Sequence, residues 1–158
     1  MLLENTTIKI NNSPTYKWGD KIIFGQGGNS GPFQGQGWSE QQDEQSTWTD
    51  GPEAHLTFRT VPPPSDILLS FHASPFLPAG AIEYQDVTVY FNFYRVGFFR
   101  IDHSENQSMF LPRELFITRV ARLTFHIPTC ESPQKLRLNE DIRRLGLAFV
   151  SVCLQPTS

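Results

Sequence analysis

Two tryptophans are the residues best suited to recognition chemistry in this sequence. Trp38 and Trp48 lie ten residues apart in "GQGWSEQQDEQSTWTDG", a stretch with almost no other apolar residue. Sugars present apolar C–H faces ringed by hydroxyl groups, so their sites combine an aromatic platform with planar polar side chains. We therefore predict a carbohydrate-binding site in which one tryptophan supplies the stacking face and polar groups orient the hydroxyls. Its predicted members are Trp38, Glu40, Trp48, Asp50, Asn92 and Arg143.

The same residues also allow a purely structural interpretation. Both tryptophans could close one end of a hydrophobic core, and Asp141 could pair with Arg143 to hold the last loop in place. The segment "WTDGPEAHLTF" runs directly from Trp48 into a predicted strand, which favours packing for that residue. The sequence leaves both interpretations open.

Motifs for catalysis, nucleotide binding and metal binding are missing from the sequence. The glycine-rich stretch "GQGGNSGPFQGQG" is not followed by Gly-Lys-Ser/Thr, so it is not a phosphate-binding loop. No H-x-H pair suggests a metal site on a strand, and no G-x-S-x-G motif suggests a hydrolase nucleophile. We therefore expect a protein that is not an enzyme, with no cofactor and no metal.

Composition narrows the possible partners and location. The formal net charge is −3, which is not the basic character expected of a nucleic-acid binder. No run of about 18 apolar residues predicts a membrane span, and the first ten residues lack the apolar region of a signal peptide. We expect a cytoplasmic protein. The two cysteines, Cys130 and Cys153, form no C-x-x-C motif and are expected to be free thiols.

Alternation of apolar and polar residues predicts an all-β fold. It is clear in residues 54–60, 66–73, 86–93 and 122–128, whereas 145–154 is apolar on both faces and predicts a central strand. Two short strands, "TIKI" and "KIIF", are predicted before the glycine-rich stretch, and a short helix is predicted from Asn139 to Gly146. We predict one antiparallel, jelly-roll-like β-sandwich domain over residues 1–158, with at most that one short helix.

Several motifs also resemble those of a known bacterial module. These are "GWSEQQDEQSTWTDGPEAHLTF", "QDVTVYFN", "FLP", "LTFHIPTCESPQKL" and "DIRRLGLAFVSVCL", which together cover about residues 37–154. In this order they resemble the accessory β-sandwich module of bacterial glycosyltransferases and phosphoglycerol transferases that build surface glycans. The matching positions are Gly37, Trp38, Trp48, Thr49, Gly51, Gln85, Asn92, Asp141, Arg143 and Gly146.

The resemblance implies a carbohydrate-binding-like jelly roll that serves glycan assembly, with a glycan or a glycosyltransferase as partner. The sequence departs from the pattern at two places. Phe93 stands where the module usually has glycine, which disfavours a tight hairpin at Asn92. The segment "EQQDEQS" replaces a loop that usually contains Pro-Glu, so ligand specificity need not match that of other members.

A second functional hypothesis is a protein–protein scaffold. Tyr90 and Tyr94 are predicted to face outward beside the pair Phe98–Phe99. Aromatic surface of this kind is typical of interface cores. On this hypothesis the chain docks to a glycosyltransferase or associates with itself as a homo-oligomer.

Overall fold

The computed structural model describes residues 13–158, which form nine β-strands and two short 3-10 turns. The turns are Gly31–Phe33 and Arg113–Leu115. The strands are β1 (Lys21–Ile23), β2 (Thr47–Asp50), β3 (Glu53–Arg59), β4 (Ile67–Pro75), β5 (Gln85–Phe91), β6 (Tyr94–Ile101), β7 (Glu105–Leu111), β8 (Val120–His126) and β9 (Leu145–Pro156).

The strands form two antiparallel sheets that face each other. The five-stranded sheet has the order β1-β9-β4-β7, with β2 also paired to β9, and the four-stranded sheet has the order β3-β8-β5-β6. The chain crosses from one sheet to the other at most of its connections, so neighbours in a sheet are distant in sequence. This is the arrangement of a jelly roll, and the predicted fold class is confirmed.

The core fills the space between the sheets with residues from alternate strand positions. In β4 the inward-facing Ile67, Leu69, Phe71 and Ala73 are buried while their neighbours are not. At the centre the ring of Phe71 lies 5.3 Å from that of Phe125 and 5.6 Å from that of Phe149. Large interlocked aromatic rings of this kind contribute much of the hydrophobic stabilisation of a small sandwich.

Most predicted strands are confirmed, and β9 is central in its sheet as expected. The predicted strand "KIIF" corresponds to β1, whereas "TIKI" lies outside the described residues. The structure adds β2, which lies in a stretch with few apolar residues besides its tryptophan. It also adds β6 and β7, where the sequence had indicated only a polar turn and surface aromatics. None of the described helical segments has the length and apolar character needed to span a bilayer.

The helix predicted from Asn139 to Gly146 is wrong. The side chain of Asn139 accepts a hydrogen bond from the backbone N–H of Asp141, and Asp141 does the same for Arg143. Two successive turns of this kind offer the backbone an alternative to helical hydrogen bonds. Gly146 does not end a helix but lies within β9.

A tight hairpin joins β5 to β6 despite the missing glycine. Its two loop residues, Asn92 and Phe93, have φ angles of 47° and 72°, as expected for the type I′ turn that best fits the twist of paired strands. The Asn92 side chain accepts a 2.8 Å hydrogen bond from the backbone N–H of Arg122. The expectation that Phe93 disfavours a tight hairpin at Asn92 is therefore corrected.

Candidate functional site

Trp48 faces away from the core because it lies between two inward-facing threonines. Thr47 and Thr49 are fully buried, and each hydroxyl accepts a backbone hydrogen bond: Thr47 from Gly25, and Thr49 from Leu147 (both 3.1 Å). Strand geometry then directs the Trp48 ring to the outer face of the five-stranded sheet. The ring is half-buried and meets the ring of Phe76 edge-on at 6.1 Å.

Trp38 belongs to the core. Only 9% of its surface is exposed, and its ring lies 5.0 Å from that of Phe24 and 5.2 Å from that of Phe149. Its indole N–H donates a 2.8 Å hydrogen bond to the backbone carbonyl of His55. Trp38 therefore has the structural role of closing the core, and its ring offers no open face to a ligand.

The segment 37–39 runs beside β2 and carries Glu40 to the same end of the sandwich as Trp48. Asp50 N–H donates to the Gly37 carbonyl and Ser39 N–H donates to the Trp48 carbonyl, both at 2.8 Å. At Gly37 φ is 95°, and a Cβ there would lie 1.8 Å from the backbone oxygen of Glu53. Glycine is therefore required for this close approach. Glu40 itself is exposed.

Arg143 is held by an ion pair with Asp141. Its Nε and Nη2 donate to both oxygens of that carboxylate at 2.7–3.1 Å, while Nη1 donates to the hydroxyl of Ser39 at 3.0 Å. The side-chain hydrogen bonds from Arg143 lower the pKa of Asp141 and raise that of Arg143 itself. The guanidinium thus joins the loop before β9 to segment 37–39, which is the structural role that the sequence had left open.

Asp50 ends β2 and is exposed. One of its carboxylate oxygens accepts a 2.9 Å hydrogen bond from the backbone N–H of Arg144. The next residue, Gly51, donates its N–H to the Arg144 carbonyl. Asp50 is therefore fixed in position and exposed, two residues after Trp48 and beyond an irregularity in the pairing of β2 with β9.

Asn92 is separate from the other predicted site residues. It lies in the β5–β6 turn of the four-stranded sheet, and its side-chain amide is used by the backbone of Arg122 and Leu115. The structure therefore brings Trp38, Glu40, Trp48, Asp50 and Arg143 to one end of the sandwich and places Asn92 on the other sheet.

Residues beside Trp48 that the sequence did not single out form a small hydroxyl-bearing surface. Trp48 is in register with Ala148, and Ala148 is in register with Ser74 on β4. The Ser74 hydroxyl donates to that of Ser104, which is also 2.9 Å from Nε2 of His72. Alternation in β4 indicated that these side chains face outward. Their proximity to Trp48 depends on strand pairing, which the sequence does not show.

A histidine between two carboxylates lies in the β6–β7 connection. His103 Nδ1 is 2.6 Å from Asp102 and Nε2 is 3.1 Å from Glu105, and the three ligand atoms lie within 4.8 Å of one another. The hydrogen bond to Asp102, with the charge of Glu105, raises the pKa of His103. Because both ring nitrogens face a carboxylate, the arrangement suits a protonated imidazolium better than a metal ion.

The outward aromatics of the four-stranded sheet are fewer than predicted. Tyr94 and Phe98 are exposed on β6, and Tyr90 is half-buried on β5. Phe99, predicted to face outward, instead packs edge-on against the core ring of Phe71 at 5.6 Å. The correction follows from strand alternation, since neighbouring residues on β6 cannot share a face.

No protein-family model matches the chain, and no curated protein matches it. Among solved structures it is similar, at 10% identity, to a family GH115 4-O-methyl-α-glucuronidase with specificity for decorated arabinogalactans (TM-score 0.48). It is similar at the same identity to a ruminal GH26 endo-β-1,4-mannanase (0.48) and to a family 35 carbohydrate binding module from an environmental isolate (0.46).

These similarities cover 90%, 91% and 92% of this chain, respectively. The chain spans only 16% of the glucuronidase and 27% of the mannanase, but 88% of the carbohydrate binding module. With TM-scores below 0.5 throughout, they do not identify a ligand for this chain.

Proposed function

We propose that this chain is a non-catalytic carbohydrate-binding module in which a sugar ring stacks on Trp48. The observation that carries the proposal is the opposite placement of the two tryptophans, because Trp38 completes the core and Trp48 faces out. The edge-on contact with Phe76 holds the Trp48 ring in one orientation. A ring that is already ordered loses little conformational freedom when it binds.

Polar groups for the sugar hydroxyls lie on either side of Trp48. Asp50 and Glu40 supply exposed carboxylates at the sandwich end, and Ser74 supplies a hydroxyl on the sheet. We assign Trp38 and Arg143 to positioning, since they hold segment 37–39 in place. Stacking and a few solvent-exposed hydrogen bonds exceed the entropic and desolvation costs of binding by only a small amount, so we expect weak affinity.

We further propose that the module serves glycan assembly by holding a glycan for a separate glycosyltransferase. Support for this role comes from the motif resemblance over residues 37–154 and from the position of the matching "WTDG" segment at the proposed site. Addition of the purified module to a glycosyltransferase that extends the bound glycan should raise the rate at low acceptor concentration. A rate that is independent of the module would contradict the role.

Self-association through β6 is the second candidate function. Tyr94 and Phe98 are exposed on this strand, which is the edge of the four-stranded sheet. An edge strand presents unpaired backbone groups to a partner. If this candidate is correct, sedimentation equilibrium should show a dimer that Phe98→Ser converts to a monomer. A monomeric wild-type chain would exclude self-association by this route.

The stacking proposal is tested by a glycan microarray with matched variants. Wild type should bind a defined glycan class, and Trp48→Ala should lose at least tenfold in affinity, which corresponds to about 1.4 kcal/mol. Trp48→Phe should keep part of the binding because an aromatic face remains. Phe93→Ala removes an exposed ring on the other sheet and should bind as wild type does.

Circular dichroism of all four proteins ensures that lost binding is not lost folding. The proposal is overturned if wild type binds no glycan on the array. It is equally overturned if folded Trp48→Ala binds as tightly as wild type.

A further inference from the structure

We propose that the ligand is an uncharged, linear polysaccharide that lies along the outer face of the five-stranded sheet, from Trp48 to Phe110. This inference rests on the carbohydrate-binding function proposed above and specifies its substrate class. We call the surface between the two rings the serine face; its members are Ser70, His72, Ser74, Ser104, Asn106, Ser108 and Ala148.

Strand register places the two aromatic rings at opposite ends of this face. Trp48 is level with Ser74 through Ala148, whereas Phe110 on β7 is directly opposite Leu68 on β4. From Leu68 to Ser74 the strand advances six residues, or roughly 20 Å at about 3.3 Å per residue. A single sugar ring cannot reach both aromatics, so a ligand that uses both must be an oligosaccharide.

Phe110 is available for stacking. It is 66% exposed, while its neighbours Met109 and Leu111 face the core. A single exposed phenylalanine is ordinary. Its significance here is that it shares a face with Trp48 and that most of the side chains between them are small and polar.

The serine face presents small side chains that both donate and accept hydrogen bonds. The hydroxyls of Ser70 and Ser108 lie 3.1 Å apart, and Ser104 contacts both Ser74 and His72 at 2.9 Å. These contacts link β4 to β7 and to the connection before it, and they orient the side chains that make them. A hydroxyl can donate one hydrogen bond and accept two, so each retains capacity for a sugar hydroxyl.

The lack of charged side chains between the two rings favours a neutral ligand. The outward side chains of β4, β7 and β9 between the two rings include no Asp, Glu, Lys or Arg. The outer face of the four-stranded sheet is different, since it carries Arg100 and Arg122. Two cations lie near this face: Lys21 is on β1, beyond β9, and His103, next to Ser104, is already held between two carboxylates. Neither lies between the two rings, so an anionic polysaccharide there would lose its hydration without a compensating cation.

The experiment is calorimetric titration with ladders of neutral β-1,4-linked gluco-, manno- and xylo-oligosaccharides, from disaccharide to hexasaccharide. Oligogalacturonates of the same lengths are the charged comparison. For at least one neutral ladder we expect affinity to rise with length and to exceed that of the matching oligogalacturonate. Phe110→Ala should weaken hexasaccharide binding about fivefold and leave disaccharide binding unchanged, whereas Trp48→Ala should weaken both.

Phe93→Ala, on the opposite sheet, is the control for removal of an exposed aromatic ring. The inference is overturned if Phe110→Ala binds the hexasaccharide as wild type does, or if oligogalacturonate binds as tightly as the neutral sugars. Binding that depends on Trp48 but not on length would leave the proposed function standing and remove the extended site. Absence of binding to any oligosaccharide would contradict both the proposed function and the extended site.

Discussion

The indole N–H of Trp38 donates a hydrogen bond of 2.8 Å to the backbone carbonyl of His55. This contact ties segment 37–39, which runs beside β2, to strand β3 of the opposite sheet. It satisfies the one polar group of a ring that otherwise lies among core phenylalanines. Trp48, ten residues later, lies on β2 with its own ring outside the core.

Trp38→Ala should destabilise the protein, because Trp38 is part of the core. Loss of a buried tryptophan leaves a cavity, while the His55 carbonyl keeps its 2.8 Å hydrogen bond from the backbone N–H of Gly35. We expect the free energy of unfolding to fall by about 3–5 kcal/mol, mainly because of the cavity. Urea denaturation followed by circular dichroism measures this. An unchanged denaturation midpoint would show that Trp38 is not part of the core.

The ion pair between Asp141 and Arg143 should make stability depend on acid pH. Its hydrogen bonds lower the pKa of Asp141 in the folded state, so the unfolded chain binds the proton more readily. The stabilisation is complete above the usual aspartate pKa of about 3.9 and is lost as pH falls through the lower, folded-state pKa. Because both side chains are about a quarter exposed, Asp141→Asn should cost only about 1 kcal/mol at pH 7.

Denaturation curves of wild type and Asp141→Asn from neutral to strongly acid pH test this dependence. The stability difference between the two proteins should shrink as pH falls below about 4. A difference that stays constant across this range would show that the ion pair does not contribute.

His55 should produce a second pH dependence, closer to neutrality. Burial lowers its pKa, with a smaller contribution from the charge of Arg122, and Glu53 partly opposes both. The unfolded chain therefore takes up the proton first, so stability is complete above pH about 6.5 and falls as pH decreases toward the folded-state pKa. His55→Gln should lose less stability than wild type between neutral and mildly acid pH, measured by urea denaturation. If the stabilities of wild type and His55→Gln fall by the same amount over this pH range, the explanation is contradicted.

Phe93→Gly should stabilise the β5–β6 hairpin. Phe93 has a φ of 72° and is 84% exposed, so it carries backbone strain with little packing in return. Glycine removes strain of about 1 kcal/mol, which outweighs the weak contact between the ring and the Arg122 guanidinium 5.9 Å away. Thermal unfolding should show a higher Tm for Phe93→Gly than for wild type. Phe93→Ala keeps the backbone strain, so its Tm should not rise. A lower Tm for the glycine variant would refute the explanation.

The inward-facing positions of the strands could be predicted, because the alternation of apolar and polar residues is visible without knowing which strands pair. Residues 66–73 and 122–128 show a clear apolar period of two, and both became strands. The edge strand β7 was missed because its first four residues are polar. The helix prediction failed because Asn139 and Asp141 form local turns, which compete with a helix and use the same residue types as a helix cap.

The orientation of the two tryptophans could not be predicted from local sequence. Thr49 is buried because its hydroxyl accepts a hydrogen bond from Leu147, which is 98 residues away along the chain. Gly37 permits the approach of segment 37–39 to Glu53 only once both sheets are in place. The serine face likewise depends on the register between β4, β7 and β9, which pairs residues that are distant in sequence.

The most direct test of Trp48 as the sugar platform is the two-dimensional NMR spectrum of the tryptophan indole N–H groups during titration with a neutral oligosaccharide. The chain has three tryptophans, so Trp18 and Trp38 serve as internal references within one sample. The proposed function predicts that the Trp48 signal shifts with added sugar while the other two stay in place. A Trp48 signal that does not respond to any of the neutral ladders would contradict it.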